Sequence, residues 1–411
     1  MRNSICDIGS RCTGCGLCSD ICPAGAIRKR KDENGFCYPE ISEDLCAGCG
    51  LCLSKCPAAA PKGVTLGEHI RNGHFKGAYA AYRTDYSLRL LSSSGGVFPA
   101  IAEAFIKNGG YVCGAVMDDG CMSVKHMISD DPEDIKKMCS SKYIQSDMTG
   151  IYTAVRQLLG KGKKVLFSGT PCQAAAVRSF VGEGTGKNLY VIDLFCHGVS
   201  SAGYFKKYIS EILPGKDLKE VNFRCKDRSW ENYGMKIVCG DKSSYYSPYR
   251  KDPFLSAFAC GYILRGSCYE CGAKLFPRRS DITLGDFWMA DRINKKDNDH
   301  KGLSIVLIET EKGNELMCMA MRSLVIKDLG RETIMDYYQM SGTSVGRPYN
   351  ADRFTEMMQK EGMSKASKRY AVQPAGKSAA EAFRKILIIT GTYDAARSVK
   401  KKVAECRATK R

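Results

Sequence analysis

The apolar positions change their period along the chain. In residues 97–106 they recur at helical spacing behind Gly96, and Asn108-Gly109-Gly110 stops the run, which predicts a helix. Residues 111–117 and 123–128 read as strands. Asp131-Pro132-Glu133 opens a short helix with proline at its first position, residues 140–143 form a loop, and residues 149–159 form a helix. The clearest unit follows. Lys164-Val165-Leu166-Phe167-Ser168 is a strand, Gly169-Thr170-Pro171-Cys172 a turn, residues 173–181 a helix and residues 189–195 a second strand. A unit of roughly 30 residues suits a right-handed parallel crossover. Cys172 and Cys196 then lie just past the carboxyl ends of neighbouring strands, where open α/β sheets build their sites.

Residues 221–249 alternate in short strands, residues 254–260 are helical, residues 280–287 and 304–310 are strand candidates, and residues 314–321 form a helix. Beyond Gly330 the pattern weakens into helices with flexible joints. The expected class is an α/β (α+β) domain with parallel βαβ units, preceded by a small module and followed by a helical basic tail. The expected divisions are a module at 1–66, a linker at 67–91 marked by Gly67, Gly73 and Gly77, a main domain at 92–330 and an extension at 331–411.

The module holds Cys12-x-x-Cys15-x-x-Cys18-x-x-x-Cys22-Pro23 and then Cys46-x-x-Cys49-x-x-Cys52-x-x-x-Cys56-Pro57. This is the bacterial-ferredoxin pattern, twice over. Two-residue gaps let one loop place three thiolates on a cubane, and the fourth comes from the other motif. One [4Fe–4S] cluster should use Cys12, Cys15, Cys18 and Cys56; the other should use Cys46, Cys49, Cys52 and Cys22. Zinc takes four ligands, usually as two separated pairs, and fits this doubled spacing less well.

Charge and cysteine content refine the picture. The formal net charge is +18, and residues 360–411 carry fourteen Lys and Arg against four Asp and Glu. A solvated helical face accounts for such a tail; contact with an acidic protein partner or an anionic membrane surface is the sharper alternative. No recognition motif accompanies the charge, so nucleic acid is not an expected partner. No apolar run reaches the roughly 18 residues of a membrane helix, and residues 1–7 hold no apolar signal region. With the ferredoxin spacing, these features point to a reducing cytoplasm rather than to a disulfide framework.

Most of the remaining cysteines read as small buried hydrophobes, with Cys113 and Cys239 in strand patterns. Cys268-x-x-Cys271, beside Gly266 and Gly272, is instead a metal-loop signal, although zinc sites and redox dithiols share it. Cys172 and Cys196 would complete a four-sulfur site, with Cys260 as the competing ligand.

The segment from about residue 92 to residue 288 resembles the coenzyme F420 hydrogenase/dehydrogenase beta-subunit family, whose relatives include plant 7-hydroxymethyl chlorophyll a reductase. The resemblance rests on Ser94-Gly95-Gly96, Ser141-Lys142-Tyr143, Gly169-Thr170-Pro171-Cys172-Gln173, Phe195-Cys196-His197-Gly198, Cys268-x-x-Cys271 and Asp281-Ile282-Thr283-Leu284-Gly285-Asp286-Phe287-Trp288. It implies a third cluster on Cys172, Cys196, Cys268 and Cys271. It also implies FAD, which composition and spacing alone do not, since no G-x-G-x-x-G fingerprint is present. The flavin candidates at the family's motifs are Ser94, Gly95, Gly96, Ser141, Lys142, Tyr143 and Gln145. Without the resemblance, residues 92–96 read as an N-cap and turn, and Lys142 as a solvent-facing lysine. His197 reads as a proton donor or as a hydrogen-bond partner of a cluster sulfur, and Asp286 as a flavin-facing group or a cap. No catalytic residue is assigned.

The implied activity is that of an iron–sulfur flavoprotein oxidoreductase. It would pass electrons between ferredoxin-type clusters and FAD, with ferredoxin or another one-electron carrier at one end. A small organic hydride acceptor, coenzyme F420 or another conjugated molecule, would stand at the other. The alternative is an electron-transfer subunit of a larger redox complex without a substrate of its own.

Overall fold

The structure, a computed structural model, describes residues 4–60, 63–72, 76–290, 299–341 and 343–372. Its strands are β1 (Ile27–Lys31), β2 (Cys37–Ile41), β3 (Gly77–Arg83), β4 (Tyr111–Met117), β5 (Val124–Ser129), β6 (Ser146–Asp147) and β7 (Val165–Ser168). Then follow β8 (Leu189–Leu194), β9 (Leu218–Cys225), β10 (Gly234–Cys239), β11 (Ser244–Pro248), β12 (Ile282–Asp286), β13 (Ser304–Ile308) and β14 (Leu324–Asp328). Nine of them form one mixed sheet in the order β14-β3-β13-β12-β8-β7-β4-β5-β6. Its centre, β12-β8-β7-β4, is parallel. Val165, Leu166 and Phe167 of β7 are wholly buried, as a strand covered on both faces requires. The helices Val97–Lys107 and Glu311–Ala320 pack one apolar layer on this sheet, and Ile151–Gly160 with Pro171–Thr185 another.

The expected linker is not one. Residues 67–91 supply most of the helix Leu66–Arg71, the whole of β3, and the helix Tyr86–Leu91. Strand β3 pairs antiparallel with both β13 and β14. Its Gly-Ala-Tyr-Ala-Ala-Tyr-Arg sequence has no clear period, and its ladder partners come more than two hundred residues later in the chain.

In the N-terminal module, β1 and β2 form a hairpin, and each cysteine triplet runs into a short helix, Leu17–Ile21 or Leu51–Ser54. The module shares a core with the main sheet. Leu17 and Cys15 are buried in one apolar cluster with Tyr152, Phe167, Phe180 and Val191. In a further core, which also takes in Phe36 of the N-terminal module, the antiparallel sheet β11-β10-β9 packs with the helices Ala202–Ile212, Pro253–Ala259, Ala351–Glu361 and Met363–Tyr370. Phe205, Tyr208, Phe223, Phe254 and Phe354 fill that core. The last two of these helices belong to the expected C-terminal extension and are part of the core. The most basic stretch of that extension, from residue 373 onward, lies outside the described residues.

Candidate redox site

The eight ferredoxin-type cysteines group across the two motifs. Burial, first, raises the Cys15 thiol above its usual range; the Leu17 amide opposes this, and the charges of Cys56 and Cys12 add to it. Burial likewise pushes Cys18 up to about 12, helped by Cys15, Cys12, Cys56 and Cys52. Cys52 is raised by burial and then, against opposing backbone amides, by Cys22 and Cys49. Cys56 thus lies within reach of Cys12, Cys15 and Cys18, and Cys22 within reach of Cys52, which permits the crossed ligand sets. Cys12, Cys18, Cys22, Cys52 and Cys56 pack on Ile5, Ile8 and Ile27. Cys46 and Cys49 are exposed, whereas Cys15 is buried against the main domain.

A second group of thiols gathers at the carboxyl edge of the parallel strands. Thr170, Pro171 and Gln173 build the amino end of the helix after β7: proline takes its first turn, and the Thr170 amide donates to Gln173 Oε1 at 3.0 Å. This sets the Cys172 Sγ 3.1 Å from Thr170 Oγ1. Burial holds the Cys172 thiol well above its ordinary value, and the charges of Cys271, Cys196 and Cys15 add to it. Cys196, just past β8, is pushed up to about 12 by burial, opposed by the Lys274 cation and helped by Cys268 and Cys271. The structure thus brings Cys172, Cys196, Cys268 and Cys271 together, with Cys15 of the first group next to them. Cys260 points elsewhere, its Sγ 3.5 Å from the Ala371 carbonyl. The close approach of the two loops depends on Gly198: a Cβ there would meet Leu264 at 3.0 Å and Cys268 at 3.3 Å. Among the described residues no three His, Cys, Asp or Glu side chains converge as for a single ion. A cubane, whose four thiolates each take a different iron, calls for wider spacing.

A cavity of about 670 Å³ opens beside this edge. Its lining includes Cys172, Cys196, residues 92–94 and 96, residues 139–146, Phe195, Phe258, Trp288 and Tyr337. The volume is within the usual range for small-molecule sites. On one side the helix Val97–Lys107 presents its amino end behind Gly96, with no side-chain cap. Nearby, Arg224 pairs with Asp286, Nη1 to Oδ2 at 2.9 Å, between the rings of Tyr233 and Trp288.

Residues 11–60 match the model of the 4Fe-4S dicluster domain, and residues 162–329 match that of the C terminus of the coenzyme F420 hydrogenase/dehydrogenase beta subunit. The two matched segments follow one another along the chain in that order. Among solved structures, the chain is similar to one in the F420-reducing [NiFe] hydrogenase complex from Methanosarcina barkeri, studied as a xenon derivative. The two are 18% identical, with a TM-score of 0.47, over 70% of this chain and 93% of that one. No curated protein matches. The second of the two matched domains takes in Cys172, Cys196, Cys268 and Cys271, while the flavin candidates lie ahead of the matched residues.

Those candidates are in varied settings. Ser94 Oγ donates to the Leu303 carbonyl at 2.8 Å, and the Gly95 amide to Ser304 Oγ at 2.9 Å. The Ser141 amide donates to Ser93 Oγ at 2.6 Å, tying the two loops together. Lys142 is not solvent-facing: its Nζ donates to the carbonyls of Lys137, Cys139 and Ser140, and burial lowers its pKa to about 8. Tyr143 stacks on Phe258 with centroids 4.4 Å apart. Gln145 turns toward the dicluster domain, its Nε2 donating to the Thr13 carbonyl at 2.8 Å. His197 faces the Phe258 carbonyl at 3.1 Å, and burial, then Lys274, lower its pKa to about 4, so its ring is neutral at pH 7. Among the described residues the Asp286 carboxylate caps no turn; it accepts from Arg224 and, at 3.2 Å, from Trp230.

Sequence reasoning missed Arg224, Lys274 and Arg265. Each is a buried cation, and nothing in the sequence marks it as one, although Arg265 and Lys274 flank the Cys268-x-x-Cys271 motif. A lone arginine between Leu264 and Gly266 carries no signal, except that charged residues are seldom fully buried without a partner.

Proposed function

We propose that this protein is an iron–sulfur flavoprotein oxidoreductase. It passes electrons between three [4Fe–4S] clusters and FAD, and between FAD and an organic hydride acceptor such as coenzyme F420 or another conjugated molecule. One observation carries this reading: a single cavity is lined both by Cys172 and Cys196 and by residues 92–94, 96 and 140–145 of two loops. A cofactor seated there would touch the third cluster's ligands directly.

The residues present fit both groups. Cys12, Cys15, Cys18 and Cys56 would hold one cubane, Cys46, Cys49, Cys52 and Cys22 a second, and Cys172, Cys196, Cys268 and Cys271 a third. The aromatic walls, Phe195, Tyr143, Phe258, Trp288 and Tyr337, suit a planar ring, and the uncapped helix end suits a phosphate. When bound, FAD supplies the exchange between one-electron and two-electron chemistry. The chain's own residues set the conditions. The Ser93–Ser141 bond closes the two loops on each other, the aromatic walls exclude water, and Lys274 places a positive charge beside Cys196.

The test is the composition and reactivity of anaerobically reconstituted protein. The expected result is one FAD and about twelve irons per chain, three cubanes of four. The bound flavin, reduced by a ferredoxin-type donor, should then reduce an oxidised deazaflavin. Full cofactor loading without exchange with any small acceptor would favour the electron-transfer-subunit alternative. Protein that folds without flavin would overturn the reading.

A further inference from the structure

Arg265 is wholly buried, three residues ahead of Cys268, and reaches into the dicluster domain. Its Nε donates to the Cys12 carbonyl at 2.8 Å, one Nη to the Cys37 carbonyl at 2.7 Å, and the other to Gln145 Oε1 at 3.1 Å. The guanidinium lies 4.3 Å from the Tyr38 ring centre, and Nη2 is 3.8 Å from Cys12 Sγ. Every oxygen it donates to is neutral. Among the described residues no carboxylate pairs with it, in contrast to buried Arg224, which faces Asp286. An arginine cannot shed its charge, and burying a cation without a counter-ion is strongly unfavourable. Among the described residues, the anionic group nearest its N–H donors is a metal-bound thiolate set at Cys12. An oxidised cubane with four thiolates carries a net charge of about −2.

We propose that Arg265 is the counter-cation of the cluster held by Cys12, Cys15, Cys18 and Cys56, and that it sets that cluster's reduction potential. Adding an electron makes the cluster more negative. A fixed positive charge and an N–H donor at the sulfur therefore favour the reduced form and raise the potential. The Cys268 amide donates to the Arg265 carbonyl at 2.9 Å, so Arg265 ties the loop of the third thiol set to that of the first and its charge acts more weakly on the third. This rests on the cluster reading above, so iron content is measured before potential.

Arg265→Gln keeps a donor and removes the charge; Arg265→Lys keeps the charge and removes the planar fork. Redox titration followed by EPR reads the midpoint potentials. In R265Q holding wild-type iron, one midpoint should fall clearly and a second by less. The cluster with exposed Cys46 and Cys49 should not move, and R265K should stay nearer wild type than R265Q. Unchanged potentials in R265Q, or equal falls in R265K and R265Q, would overturn the proposal. Should both variants lose iron, Gly14→Ala reads the same contact, because a Cβ at Gly14 would lie 2.6 Å from Arg265 Nη1 and displace the guanidinium. G14A with full iron and wild-type potentials would likewise overturn it. Wild-type protein that folds but lacks iron at the Cys12 set would instead refute the cluster reading itself.

Discussion

The Tyr152 hydroxyl donates to the Cys15 carbonyl at 2.8 Å, and both residues are buried. A residue of the main domain thus satisfies the backbone of a ferredoxin loop from inside a shared core. Tyr152→Phe leaves that carbonyl unpaired and should cost roughly 1–3 kcal/mol. The readout is the temperature at which cluster absorbance is lost, which should fall in Y152F while iron content at room temperature stays at the wild-type level. An unchanged midpoint would mean that water replaces the hydroxyl and that the junction tolerates its loss.

The same packing bears on truncation. Removing residues 1–66 uncovers the side of Phe167, Phe180 and Val191 that Leu17 and Cys15 cover, and takes away the helix start at Leu66. The shortened chain should aggregate or lose its flavin, whereas separable modules would give a soluble, flavin-loaded remainder. Gel filtration with flavin absorbance decides between them.

Much of this was legible in the sequence, for physical reasons. Doubled ferredoxin spacing reflects a rigid ligand geometry, and β7 and β8 are buried on both faces over Val165–Phe167 and Leu189–Ile192, which appear as short apolar runs. What escaped was non-local. Strand β3 is built of Ala and Tyr and is recognisable only by its partners β13 and β14. Lys142 sits in a polar loop sequence, yet its ammonium is folded back onto three carbonyls. Arg265 acts through residues 253 positions away, beyond the reach of any periodicity.

The third thiol set makes a discriminating pair of variants. Cys268→Ser should lower the iron count from about twelve to about eight per chain, because one cubane is lost. Cys260→Ser should leave it unchanged, since its Sγ lies 3.5 Å from the Ala371 carbonyl. The reverse result would move the ligand assignment to Cys260.

Arg224 and Asp286 form a buried pair at the cavity wall, 4% and 17% exposed at their side chains. Arg224→Ala strands a carboxylate beside Trp230 and Trp288, and breaking such a pair typically costs about 3–5 kcal/mol. R224A should retain less flavin than the R224A/D286A double variant, in which no charge is left unpaired. Flavin content after gel filtration gives the comparison. Equal retention in the two would show that the pair does not shape the cavity.

Lys226 offers a prediction in pH. Its buried ammonium donates to the carbonyls of Arg89, Ser94 and Lys301 at 2.7, 3.0 and 2.9 Å, so it braces the loop that enters the cavity. Burial, and then the charges of Arg224 and Arg89, lower its pKa to about 7, against about 10.4 in an unfolded chain. Below pH 7 both states hold the proton, and the folded state bears the full cost of the buried charge. Between about pH 7 and 10 the unfolded state binds more protons than the folded one, so this group makes stability rise with pH, by at most about 1.4 kcal/mol per unit. Lys226→Met should destabilise the loop at every pH but remove this slope. Chemical unfolding of both proteins at pH 7, 8 and 9 measures it. Parallel stability curves for wild type and K226M would show that Lys226 keeps its proton in the fold and contributes through its three hydrogen bonds alone.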